Sequence, residues 1–242
     1  LDHLRRDNVD ELRKLFDRHD GSIWARRGEN QAQWQVLQNA ADLVEACADA
    51  TRQLPDHTRS QAALIDFYLT SLYEIDHRQR ELEQQAGDGA VADGFDGDAA
   101  LKNVIKLARE NHRTLANTVQ GAFLRNIERE GWPPPGRLSN ADVFDKLVAL
   151  PLQESGRRVA LLLIDALRYE LGVTLQPMLA SAGQVTLQAA FAQLPTVTPV
   201  GMASLLPGAG RDLRLVRAKD KLVPYLGEQK LETVTERLEV LR

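Results

Sequence analysis

Two places in this sequence combine residue types and spacing that could do chemistry: Asp165 and the loop holding Thr196 and Thr198. Asp165 follows a six-residue apolar run, VALLLI at 159–164, and precedes ALRYEL. If the run is a strand and the next segment a helix, Asp165 stands at a strand's carboxyl end, where open α/β sheets collect ligands. A carboxylate there suits a divalent cation. The plainer alternative is that Asp165 only caps the following helix by accepting its first backbone N–H groups. Thr198 lies in PTVTP, residues 195–199, just ahead of GMASLL. At a helix start its hydroxyl would sit where orphan N–H groups and the dipole favour a phosphate. A threonine alkoxide generated by a metal ion is a nucleophile toward phosphorus. The plainer alternative is again capping, with the two prolines shaping the loop. Arg168 could grip a phosphate bidentately or serve as a surface residue one turn into the helix.

The elements that must position these residues are legible as periodicity. Apolar residues recur at helical steps over Leu1–Phe16, then as Trp34, Leu37, Ala41, Val44 and Ala48, then as Ile65, Tyr68, Leu72, Ile75 and Leu82. Pro55 is expected to end the second of these helices. A Gly/Asp-rich run, GDGAVADGFDGD at 87–98, reads as a linker. Asp98 is a candidate cap for a long helix carrying Leu101, Ile105, Ala108, Leu115, Val119 and Ile127, stopped by Gly131 and Pro133–Pro135. Ser139 with Asp142 resembles a capping box for a short helix ending before Pro151.

From residue 156 the pattern changes. The run at 159–164 does not alternate, which predicts a central parallel strand buried on both faces. A helix is expected from 166 to about 181, a second strand over 184–194, and weaker strands at 213–216 and 222–226. Residues 233–242 read as helix. The sequence thus predicts an all-α region over 1–150, with a linker near 86–98, followed over 151–242 by an α/β domain with a mainly parallel sheet.

Composition narrows the classes. The 242 residues are 43% hydrophobic and 26% charged, the balance of a globular protein. No apolar run approaches the roughly 18 residues of a spanning helix, and no secretory leader is visible. The single cysteine, Cys47, excludes an intrachain disulfide and a cysteine zinc cluster, and fits a reducing, cytoplasmic setting. Net charge is −4; residues 1–150 hold 19 Lys/Arg against 25 Asp/Glu, and 151–242 hold 11 against 9. Neither half suggests a DNA-coating surface on charge alone. There is no P-loop and no dinucleotide fingerprint. The 87–98 run lacks the register of a calcium loop.

LLLIDALRYEL, followed about thirty residues later by LPTVTPVGMASLLPG, resembles the PglZ domain, a branch of the alkaline phosphatase superfamily. The resemblance covers roughly residues 155–242. It implies an alkaline-phosphatase-like α/β domain with a two-metal, usually zinc, centre; manganese or magnesium are the alternatives. It makes Asp165 a metal ligand and Thr198 the nucleophile, with Thr196 the second choice. Related phosphodiesterases place an Asn three residues after the nucleophile; here that position is Gly201, which could offer a phosphate only its backbone N–H. The resemblance further implies a cytoplasmic role in BREX-type phage defence, other defence proteins as partners, and phosphate-ester hydrolysis acting on nucleic acid or nucleotides, with no membrane involved.

One departure from that pattern is large. The five histidines, His3, His19, His57, His77 and His112, all precede the α/β segment, and Asp56–His57 and Asp76–His77 fall in helical sequence. The expectation is therefore a fragment: an incomplete catalytic domain that alone is inactive and binds no metal tightly. The rival class is a non-catalytic helical and α/β scaffold that assembles a defence complex, suggested by the acidic, heptad-like helices.

Overall fold

The structure, a computed structural model, describes residues 28–87 and 99–241, together with Lys14 and Arg18. The expected helix over 1–16, the linker over 88–98, Asp98, His3 and His19 lie outside the described residues. The chain divides into two compact units, Leu1–Gly131 and Trp132–Arg242. The change of hydrophobic period at 150–156 falls inside the second.

The described part of the first unit is helical. Helix α1 spans Gly28–His57, α2 Gln61–Phe67, α3 Tyr73–Gly87 and α4 Ala99–Glu130, with a π-helical turn, Tyr68–Leu72, joining α2 to α3. On α1 the buried residues Val36, Ala40, Leu43, Cys47, Ala50 and Leu54 recur every three or four positions, which makes one apolar stripe. They meet Leu64, Phe67, Leu72, Ile75 and Leu82 from the second rod, and Leu101, Ile105, Ala108, Leu115 and Ala122 from α4. Pro55 does not end α1, which runs on to His57. A proline in the last turn removes one hydrogen bond and keeps a helical φ, so the helix tolerates it there. Ser60 caps α2 by accepting from the Ala63 N–H at 3.1 Å.

Polar groups in this unit pair with one another. The Tyr68 hydroxyl donates to Asp76 Oδ2 at 2.8 Å, and His112 Nε2 lies 3.3 Å from Asp76 Oδ1. Arg109 grips Glu83 with two donors, at 2.8 and 2.5 Å. The Arg109 hydrogen bond is the main reason the Glu83 carboxyl titrates below its ordinary range. Burial pushes the Cys47 thiol up to about 12, and the nearby Asp76 charge adds to this.

The second unit departs from the expected sheet. Its elements are α5 (Asn140–Val143), continued by a π turn at Phe144–Val148, α6 (Ala149–Gln153), α7 (Tyr169–Leu179), α8 (Thr198–Ser204), α9 (Ala209–Asp212), β1 (Leu213–Ala218), β2 (Lys221–Leu226), β3 (Gln229–Lys230) and α10 (Val234–Glu239). The three strands form one antiparallel sheet in the order β1-β2-β3. Val216 stands opposite Val223, and Tyr225 opposite Lys230. Antiparallel pairing follows from short connections, since a parallel partner needs a long crossover.

The predicted parallel sheet is not what these residues form. The run at 159–164 is extended but unpaired among the described residues, and Leu162 is 75% exposed. A strand buried on both faces needs a neighbour along each edge and cover on each face. The described residues supply neither. The expected strand over 184–194 reduces to a single parallel bridge, Ser139 with Phe191, closed by hydrogen bonds of 2.8 Å in both directions. Ser139 does cap α5, accepting from the Ala141 N–H at 3.3 Å, but the Asp142 carboxylate goes to Lys146 at 3.0 Å. The box geometry appears elsewhere: Thr233 and Glu236 cap α10 reciprocally.

The apolar centre of this unit is small. Ala203 and Leu206 pack with Leu231, flanked by Leu213, Leu226 and Val240. Val200, Ala203 and Ser204 are buried, which seats α8 firmly by its inner face.

Candidate functional site

The structure brings Asp165 and Thr198 together. Thr198 is the first residue of α8, reached through PTV, in which Leu194–Pro195 is cis and the Val197 N–H turns back onto Pro195 O at 2.8 Å. Pro199 follows, in the first turn where a missing N–H costs nothing. The Thr198 hydroxyl donates to Asp165 Oδ2 at 3.0 Å.

Asp165 does not cap a helix. It sits in a turn, and the helix after it starts later than the sequence predicts, at Tyr169, with Arg168 in the capping position. Ala166, immediately after Asp165, has φ +55, the left-handed region that non-glycine residues adopt at a cost. The Ala166 N–H donates to Asp165 Oδ1, 3.0 Å away. Each carboxylate oxygen thus accepts one hydrogen bond, and the carboxylate is fixed in orientation though exposed. Strained backbone of this kind concentrates where a side chain must be aimed. No feature of the sequence marks Ala166, since alanine carries no preference for a left-handed turn.

The other predicted residues fall as follows. Thr196 is exposed, two residues before α8, and takes no part in the pair. Gly201 lies inside α8, and its N–H donates to Val197 O at 2.9 Å. That amide bonds within the helix. Arg168 sits three residues after Asp165 with Nη2 2.5 Å from Glu170 Oε1. The Glu170 carboxylate is wholly buried, a feature the sequence reading missed; its only sign there is the R-x-E spacing.

The pair itself is an exposed hydroxyl hydrogen-bonded to a carboxylate. Residues 143–241 match the family model PglZ, the BREX system PglZ alkaline phosphatase-like domain. No curated protein and no solved structure matches the chain. The PglZ match takes in Asp165, Arg168, Glu170, Thr196, Thr198 and Gly201, less than half of the chain, and contains no histidine.

Alkaline-phosphatase-like proteins generally use divalent metals, so the donor set was weighed against one. Asp165 gives one carboxylate and Thr198 one hydroxyl, against three or four protein ligands in a typical zinc site. Among the described residues no group of three or more His, Cys, Asp or Glu could hold a metal ion. The Asp-His pairs in the helices go elsewhere: Asp76 meets His112 rather than His77, His77 meets Glu81 at 3.2 Å, and His57 stacks on Phe67. These residues do not make up a two-metal centre by themselves. Among the described residues no helix is long and apolar enough to cross a membrane.

Proposed function

We propose that this chain belongs to a BREX-type phage-defence protein, acting in the cytoplasm with other defence proteins, and that its PglZ stretch serves phosphate-ester hydrolysis. The observation that carries the reading is the 3.0 Å hydrogen bond from Thr198 to Asp165. Thr198 Oγ1 is the nucleophile: it bonds to phosphorus as the ester oxygen leaves, its proton passes by way of Asp165 Oδ2 to that leaving oxygen, and water then displaces Thr198 Oγ1 from phosphorus, releasing the phosphate and restoring the hydroxyl. Arg168 takes the non-bridging oxygens. An aspartate alone is a weak base toward an alcohol, and a divalent cation, zinc or else manganese or magnesium, supplies what is missing by lowering the hydroxyl pKa. Asp165 would be one oxygen ligand to it, with the remaining ligands coming from outside the described residues. Nucleic acid or a nucleotide is the substrate class this reading takes.

The test uses the natural protein with zinc or manganese added, against bis(p-nitrophenyl) phosphate and p-nitrophenyl phosphate. Thr198→Ala and Asp165→Asn should each remove at least about 100-fold of the turnover with unchanged thermal unfolding. Full activity in Thr198→Ala, with loss in Thr196→Ala, would move the nucleophile to Thr196. The 242-residue chain assayed alone is expected to show neither turnover nor tight metal binding.

A scaffold role is the second reading, and one observation favours it. Leu150, Leu162, Met178 and Val234 of the second unit are all more than half exposed, an apolar surface of the kind that protein contacts cover. Phage plating on cells with the intact defence system separates the two. A scaffold protects equally with Thr198→Ala, and a hydrolase does not.

A further inference from the structure

Glu170 is the one acidic side chain of the second unit that is fully removed from water: its side chain is 0% exposed, while that of its partner Arg168 is 56% exposed. A carboxylate without hydration is costly, and for stability alone an apolar residue of similar size would serve as well or better. The charge is therefore at position 170 for another reason. The pairing shows what it does. One guanidinium nitrogen, Nη2, is clamped at 2.5 Å by Glu170 Oε1 from the buried side. Arginine offers five donors in a rigid plane, and among the described residues Glu170 is the only partner Arg168 has.

The chain keeps Arg168 close to the site. Arg168 follows Asp165 by three residues, so their Cα atoms are at most about 11 Å apart, within reach of an arginine side chain. Between them lies Ala166 at φ +55, whose N–H donates to Asp165 Oδ1.

We infer that Glu170 is a positioning residue: it holds the Arg168 guanidinium with its free donors toward the Asp165–Thr198 pair, ready for the non-bridging oxygens of a phosphate. This rests on the phosphate-ester reading of the same site and names the group that fixes its anion specificity.

The test uses the full chain, labelled with nitrogen-15, and inorganic phosphate as the probe. Two signals are read: phosphate affinity from phosphorus-31 line broadening, and the Arg168 Nε–H resonance. In the wild type that resonance should be resolved and shift on phosphate addition. Glu170→Gln should weaken phosphate at least about fivefold and return the resonance to the solvent-averaged position. Glu170→Leu, which removes the buried charge and keeps the packing, should do the same. In an Arg168→Gln background, Glu170→Gln should have no further effect on affinity. Equal phosphate binding by the wild type and Arg168→Gln would overturn the inference. So would an equal loss from Glu170→Gln in both backgrounds, which would mean that Glu170 acts through the fold. The hydrolase reading fails separately, if Thr198→Ala still hydrolyses esters like the wild type.

Discussion

Replacing Ala166 tests the geometry of the site without touching either reacting side chain. At φ +55 the alanine Cβ crowds its own carbonyl, which costs about 1–2 kcal/mol relative to a right-handed conformation. Glycine lifts that penalty but loses about 0.5–1 kcal/mol more backbone entropy on folding. Ala166→Gly should therefore be neutral to stabilising, by up to about 1 kcal/mol. Ala166→Val should lose at least about 1 kcal/mol, because a β-branched residue is a true outlier there. No steric neighbour obscures the comparison, since Ala166 is exposed. Urea unfolding of the three proteins gives the ranking Gly at or above Ala, and Ala above Val. Hydrolysis by the natural protein should not follow that ranking. Glycine widens the backbone conformations open to residue 166, so the turn that carries Asp165 is held less firmly, and turnover should fall although stability does not. If Val is tolerated as well as Ala, the residue is not left-handed. If Gly keeps full turnover, the turn does not aim the carboxylate.

Three further outcomes are expected. Gly201→Ala adds a methyl group with nothing within 4 Å inside α8 and should stabilise by roughly 0.5–1 kcal/mol, whereas in Gly210→Ala the new Cβ would lie 2.7 Å from Asp142 Oδ1 and 3.2 Å from the Ala141 carbonyl oxygen, so thermal unfolding should show a loss of about 1–3 kcal/mol. Cys47 should resist a thiol reagent at pH 8 in the native protein and react only on unfolding, because its thiol is buried and titrates near 12; prompt labelling would contradict the packing of α1. Glu83 titrates low when folded, so its pair with Arg109 stabilises above the unfolded-state value and that contribution is lost as pH falls through the folded one. Both side chains are more than a third exposed, so the gap between wild type and Glu83→Gln should stay below about 1 kcal/mol at neutral pH, close in acid, and shrink with salt.

What could be read from the sequence follows from where burial is decided. The helices of the first unit are amphipathic along their own length, so their spacing alone displays the buried residues Ala41, Val44, Leu72 and Leu82, though not Leu43 and Cys47 beside them. The 159–164 run carries no such signal. An unbroken apolar segment says that a neighbour is wanted and nothing of which neighbour is present, and here the expected parallel pairing is absent among the described residues. The hairpin partners at 213–226 were legible as strands, but their antiparallel sense depends on the two-residue turn at Lys219 and Asp220. At the site, Asp165 and Thr198 stand out by residue type and spacing. Ala166 and Glu170 do not, because one matters through its φ and the other through its burial, and neither quantity is carried by a residue's identity.

The two halves of the pair are held to different degrees, and this bears on how such a site works. Thr198 opens a helix whose next turn buries Val200, Ala203 and Ser204, so its hydroxyl rides on packed structure. Asp165 has no such support. It ends an extended run whose apolar side chains are open, and its position rests on the strained turn at Ala166 and on the hydroxyl of Thr198 itself. Catalytic geometry tolerates errors of only about 0.5 Å, and loops hold it less well than helices do. Glu170, buried in the first turn of α7, pairs with the Arg168 guanidinium. Thr198 and Glu170 thus rest on packed helices, while Asp165 is held by its two hydrogen bonds. Anything that covers residues 159–164 would stiffen Asp165 without altering Thr198 or Arg168, so the alignment of this pair is coupled to what packs on the run that precedes it.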